Sequence, residues 1–228
     1  SGLRGMSWGR LLSRVLVVSG LAGSVGLGWP ASAGAWDLGA GVFCGAPLNA
    51  SARLRIEQES RETLSLRARF RSEPLKPPIY WAVRLSAERA RSSWSLEPNQ
   101  NQLYLRYPPS VVSDFSISHG LTFVTSQHDW IRGRNRIRAG AGVVAAHPEN
   151  VVRGLRLDGK KGLFSAGYHL TGPVALTGVS RRLVARPVAL DLEGRVTLAR
   201  VRVPVADGEA RFVHLAADVM LGISGFLR

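Results

Sequence analysis

The sequence predicts an antiparallel up-and-down transmembrane β-barrel of eight strands, with ten as the alternative. Three observations carry this. Apolar and polar residues alternate with period two along most of the chain after residue 36, which is the side-chain period of a strand. Several alternating runs exceed ten residues, longer than the usual soluble strand and matched to a tilted membrane strand. The polar face carries arginine, aspartate and glutamate in mid-run. A soluble sandwich would turn that face to water. A small outer-membrane barrel turns the apolar face to lipid and fills its interior with paired charges.

The elements follow in chain order. Residues 1–33 read as a secretory signal peptide: Arg10 and Arg14 supply a positive start, Leu16 to Leu27 an apolar core, and Ala31-Ser32-Ala33 a small-x-small cleavage site near Ala33. The core is too short and glycine-rich for a membrane helix, which needs about 20 apolar residues. The barrel then occupies 34–228, with strands expected near 36–44, 79–88, 93–106, 114–128, 134–147, 166–182, 187–203 and 209–227. Ile79, Trp81, Val83, Leu85 and Ala87 are expected to face outward, as are Phe115, Ile117, Leu121 and Phe123. The same holds for Ile137 through Ala145, for Tyr168, Leu170, Val174 and Leu176, and for the apolar sets of the last two strands. Arg134, Arg136, Arg138, Asp191, Glu193, Arg195 and Asp218 then neutralise one another inside, because buried charges must be paired. Residues 45–78 and 148–165 are the long extracellular loops, joined to short periplasmic turns. Segment 51–71 also alternates and forms either a hairpin in the first loop or two further strands.

The chain has 228 residues and a net charge of +14, from 30 Lys+Arg against 16 Asp+Glu. Such an excess calls for an anionic partner, nucleic acid or lipid headgroup, unless it reflects only the codon usage of a GC-rich genome. Export removes nucleic acid and leaves the outer membrane with its lipid A or lipopolysaccharide. A monomer is expected. The lone Cys44 permits neither an internal disulfide framework nor a zinc-ligand spacing.

"AGAGVVAAHPEN" places His147, Pro148 and Glu149 at the end of an apolar strand. His147 has the parity of the outward residues, and so does His119 on the preceding strand. If positions summing to about 264 to 266 oppose one another, the two histidines meet on the lipid-facing surface. A polar residue there costs free energy and needs a reason. Headgroup-level placement, with Pro148 simply ending the strand, is the structural alternative.

"SHGLTFVT" (118–125), "RIRAGAGVVAAHPE" (136–149), "GYHLTGP" (167–173) and "PPIYWAVRLS" (77–86) together resemble the outer-membrane lipid A oxidase family of rhizobia, over most of residues 77–228. The departures are specific. The family's Asp-Phe-Thr-His strand appears here only as "LEPNQNQ", without a histidine, and the family's Pro-His order is reversed as His147-Pro148. The resemblance implies oxidation of the proximal glucosamine of lipid A by oxygen. His147, Glu149 and His119 would serve as catalytic groups or as ligands of a divalent metal ion, the cofactor itself being left open. Arg153, Arg156, Lys160 and Lys161 in the following loop would hold lipid A phosphates. The competing readings are a lipid A deacylase, a non-catalytic structural or adhesin-type barrel, and a secreted sandwich binding an acidic ligand.

Overall fold

The period-two alternation becomes strand over nearly all the residues that the computed structural model describes, namely 36–73, 80–158, 167–185 and 188–227. The expected signal peptide lies outside them. The strands are β1 (Asp37–Asn49), β2 (Ala52–Gln58), β3 (Leu64–Arg71), β4 (Trp81–Arg89), β5 (Ser92–Arg106), β6 (Val112–Arg132), β7 (Asn135–Ala146), β8 (Glu149–Val152), β9 (Leu155–Arg156), β10 (His169–Val184), β11 (Val188–Val205) and β12 (Gly208–Phe226).

Pairing reduces these twelve segments to eight wall strands. β1 and β2 both pair with β12, through Asn49↔Ala216 and then Arg55↔Arg211, so they form one wall strand with a break at 50–51. β3 and β4 both pair with β5 and make the second. The wall continues through β5, β6, β7, β10, β11 and β12, all antiparallel, and closes where β12 meets β1. β8 and β9 form a small hairpin on the long β6. Segment 51–71 folds as the β2–β3 hairpin, one of its two expected alternatives, and lengthens wall strands one and two. The long loop expected over 45–78 shrinks, among the described residues, to a turn at 59–63 and the ends of β1 to β3.

Closure removes every edge but forces each strand to show one face in and one out. On β12, Val213, Leu215, Val219, Leu221 and Ile223 are exposed, while His214, Asp218, Met220 and Ser224 are buried. β11 repeats this, with Val188, Leu192, Val196 and Leu198 outside and Asp191, Glu193, Arg195 and Thr197 inside. Val188 to Leu198 spans about 34 Å along a strand, or roughly 25 Å when tilted, the height of an outer-membrane apolar band. Trp36, Trp94 and Trp130 are exposed at the end where β1 begins and β12 finishes, forming an aromatic girdle there. A closed antiparallel barrel with an apolar outside and a charged inside spans a bilayer, and that architecture belongs to outer membranes.

The interior has two storeys. The half near the girdle is charged. The distal half is apolar, packed with Leu54, Ile56, Leu103, Ile117 and Leu121, and with Phe70 against Phe115 and Phe212 at ring-centroid distances of 6.5 and 5.1 Å. Each fully buried side chain of this size contributes about 1.5–3 kcal/mol.

The apolar storey overturns one expected face. Phe115, Ile117, Leu121 and Phe123 point inward, and the large apolar residues exposed on β6 are Val124 and Trp130. The β6–β7 register sums to 267, as in Leu121↔Ala146 and Phe123↔Val144. A shift of one residue exchanges the faces of a whole strand. Val174 and Leu176 also point inward, whereas Leu170 on the same strand is 66 % exposed. The switch occurs at Gly172, where a bulge shifts the β7–β10 register and φ is +152°. A Cβ at Gly172 would lie 2.1 Å from the Arg200 carbonyl oxygen, so only glycine fits.

Candidate functional site

The charged storey is a continuous ion-pair network. Glu97, fully buried on β5, accepts from Arg84 Nε at 2.7 Å and Arg195 Nη1 at 2.5 Å. Glu193 on β11 meets Arg84 at 3.0 Å and Arg138 at 2.5 Å. Asp129 holds Arg138 in a two-bond fork of 2.6 and 2.7 Å, and Asp218 holds Arg195 at 3.0 Å. Arg195 also donates to the Tyr80 hydroxyl at 2.9 Å. Nearer the girdle, Glu88 takes Arg136 and Arg182, and Asp191 takes Arg182. The five arginines and six carboxylates nearly cancel, as a low-dielectric interior requires. Arg134 is the exception to the expected set: it sits exposed in the β6–β7 turn. A gap in this storey, lined by Arg84, Glu88, Asp129 and Arg136, measures about 20 Å³, room for roughly one water.

The sequence-predicted site residues fall at the distal end. His147 follows β7 with outward parity, and its N–H donates to the Gly120 carbonyl at 3.3 Å. Its cross-strand neighbour is therefore Gly120, one residue beyond His119. The His147 ring stands edge-on to Tyr168, with centroids 5.2 Å apart. The side chain of His119 lies outside the described residues. Glu149 is exposed at the start of β8, and its carbonyl accepts from Ser116 Oγ at 3.3 Å. Partial burial first, and then the Glu149 carboxylate, raise the Asp114 carboxyl above its ordinary range, with Arg156 opposing. Among the described residues no three His, Cys, Asp or Glu side chains converge as metal ligands. Of the three residues that the resemblance implies as ligands, His147 and Glu149 are described, and the side chain of His119 is not.

The basic residues of that loop divide. Lys160 and Lys161 lie outside the described residues. Arg153 takes the left-handed φ of +52° in the turn joining β8 to β9. Its guanidinium donates to Gln58 Oε1 at 3.2 Å and to the Glu62 carbonyl at 2.6 Å, which ties the β8–β9 hairpin to the β2–β3 turn across the barrel mouth. Arg156 is exposed beside Asp114.

A different basic set stands on the outward face just beyond the apolar belt. On β11 the outward series passes from Leu198 to Arg200 and Arg202, and on β12 from Val213 to Arg211. β2 and β3 add Arg53, Arg55, Arg67, Arg69 and Arg71, all exposed. The signal was present in the sequence as arginine at alternate positions of "ARLRI" and "LRARFR". It escapes a search for catalytic motifs because it belongs to the wall, not to a loop.

No protein family matches the chain, and no curated protein matches it. Among solved structures, the chain is similar to Neisserial surface protein A at 15% identity, covering 83% of this chain and 98% of that one with a TM-score of 0.34. It is similar to the outer membrane protein OprG from Pseudomonas aeruginosa at 8% identity, covering 84% and 96% with a TM-score of 0.40. It is also similar to the outer membrane protein AlkL at 11% identity, covering 88% and 95% with a TM-score of 0.44.

Proposed function

We propose that this protein is a closed outer-membrane barrel that binds lipid A with its outer wall and conducts no solute. The observation that carries the reading is the partition of charge. The interior network nearly cancels, whereas eight exposed arginines of β2, β3, β11 and β12 stand on adjoining strands immediately beyond the apolar belt. The barrel rule of short periplasmic turns puts Ala90–Arg91 and Gly133–Arg134 on the periplasmic side, and hence the arginines at the outer leaflet. Lipid A presents its phosphates at that level, and guanidinium forks suit phosphate. Oxidation of lipid A, which the resemblance implies through His147, Glu149 and His119, would be a further activity of the same lipid-facing wall and forms no part of this reading.

The test is native mass spectrometry of the purified barrel released from nanodiscs holding lipid A and a zwitterionic phospholipid in equal amounts. Retained lipid A is the expected result. Equal retention of the two lipids would refute the reading. In planar bilayers the folded protein should give no steady conductance, and a stable open level would refute the closed interior.

A further inference from the structure

The outward arginines pair with one another across the strands. Arg53 on β2 lies opposite Arg67 on β3, and Arg69 on β3 lies opposite Arg106 on β5. Arg55 on β2 lies opposite Arg211 on β12, which in turn lies opposite Arg202 on β11. Partners opposed in this way have Cα atoms only about 4.5–5.5 Å apart. Like charges directly opposite one another destabilise a sheet. Four such contacts in adjoining strands are a standing cost in an isolated barrel.

Glutamates offset only part of it. Glu57 pairs with Arg55 at 2.7 Å and Arg211 at 3.6 Å, and Glu209 pairs with Arg202 and Arg211. Arg71 reaches Glu73 at 3.6 Å, and Arg67 reaches the Ser51 hydroxyl at 3.3 Å. Arg53, Arg69 and Arg200 have no ion-pair partner among the described residues. Every one of these arginines is exposed on the outward face, so a ligand outside the wall can reach the row.

We infer that this row is a phosphate-binding site for lipid A in which fixed guanidinium groups take the place of the divalent cations that otherwise bridge neighbouring lipid A phosphates. The inference rests on the lipid A reading above and adds the place and the chemistry. Only a multiply anionic ligand relieves several like-charge contacts at once. The apolar belt directly below Arg200 and Arg211 receives the acyl chains of the same molecule. A soluble anion has no use for that second surface, which assigns the site to a lipid. Because the cations are covalently part of the wall, binding survives a chelator.

The experiment compares bisphosphorylated lipid A with enzymatically dephosphorylated lipid A on the intact barrel in nanodiscs, with EDTA present throughout. It then repeats the comparison on R53Q/R55Q/R202Q/R211Q and on the control R132Q, whose arginine sits at the opposite end of β6. Wild type and R132Q should hold the bisphosphorylated form in EDTA, at least about tenfold more tightly than the dephosphorylated form. The quadruple variant should lose that preference. Heat-modifiable electrophoretic mobility reports whether the variant has folded, and the comparison on wild type needs no variant. Equal binding of the two lipids, release by EDTA, or a quadruple variant that binds like wild type would each overturn the site. Displacement of lipid A by millimolar inorganic phosphate would also overturn it, in favour of a soluble anion. If the quadruple variant keeps its lipid A, only the site fails. If wild type holds no lipid A in either form, the parent reading falls with it.

Discussion

Replacing Glu97 with alanine probes whether the charged storey is dry and therefore decisive for folding. Glu97 is fully buried and is shared by Arg84 and Arg195. Each arginine keeps one other carboxylate after the change: Arg84 keeps Glu193 at 3.0 Å, and Arg195 keeps Asp218 at 3.0 Å. Breaking a buried pair costs about 3–5 kcal/mol, because the surviving charge stays desolvated. The remaining partners put the expected loss near the lower end, about 3 kcal/mol. With a denaturant slope of about 2 kcal/mol per molar, the urea midpoint should fall by roughly 1.5 M. The measurement is urea-dependent tryptophan emission of the barrel in phospholipid vesicles, which Trp94 and Trp130 at the girdle make sensitive to the membrane. E97Q keeps an acceptor oxygen in the same volume and should lose less than E97A. A loss below about 1 kcal/mol for E97A would refute the reasoning, since it would mean that water already screens the interior charges.

Three further predictions test the wall, the bulge and the mouth. L192R places a charge in mid-belt on the outward face of β11 and should destabilise the barrel by about 2–4 kcal/mol in vesicles, whereas R202Q on the same strand should cost under 1 kcal/mol; equal costs would argue against the belt. G172A should lower stability by about 1–3 kcal/mol through its +152° φ and the Arg200 carbonyl, read in the same urea titration, and an unaffected G172A barrel would argue against the bulge. Asp114 has a raised folded-state pKa, so its charged form works against the β6–β8 pairing above that pKa, and the opposition is relieved as pH falls through it. Amide exchange in 149–156 should therefore slow on acidification in wild type and much less in D114N; parallel profiles would discard this account.

The strand pattern was legible because alternation survives whatever lies on either side of the wall. The faces of β4, β11 and β12 were legible too, since charges in mid-strand mark the interior unambiguously there. β6 was not, and the reason is physical. Its odd residues Phe115, Ile117, Leu121 and Phe123 are apolar because they fill the distal storey, and apolar is also what lipid demands. Periodicity fixes which residues share a face but not which side that face is on. Bulges compound this: Leu170 and Val174 share a parity but not a face, because the chain gains a residue at Gly172. The same ambiguity moved His119 out of register with His147. The contacts of Arg153 were hidden for a different reason. Its contact with Gln58 and Glu62 joins residues about ninety positions apart, which no local motif can signal.

Charge neutrality inside and hydrocarbon outside together dictate where the excess of +14 can stand. The interior tolerates charge only in pairs, and its five arginines already face six carboxylates. The belt tolerates none: between Val188 and Leu198 on β11, and between Val213 and Ile223 on β12, no outward residue is charged. Unpaired arginine is therefore driven to the margins of the belt, where lipid headgroups begin. Exposed arginine accordingly stands at both margins, with Arg89, Arg91, Arg132, Arg134 and Arg181 at the girdle end. Among the described residues, only the set on β2, β3, β5, β11 and β12 opposes arginine directly to arginine, in pairs that cost stability in isolation. Exclusion from the belt accounts for the height of the arginines. The direct opposition of arginine to arginine at one margin is what the proposed anionic lipid would relieve.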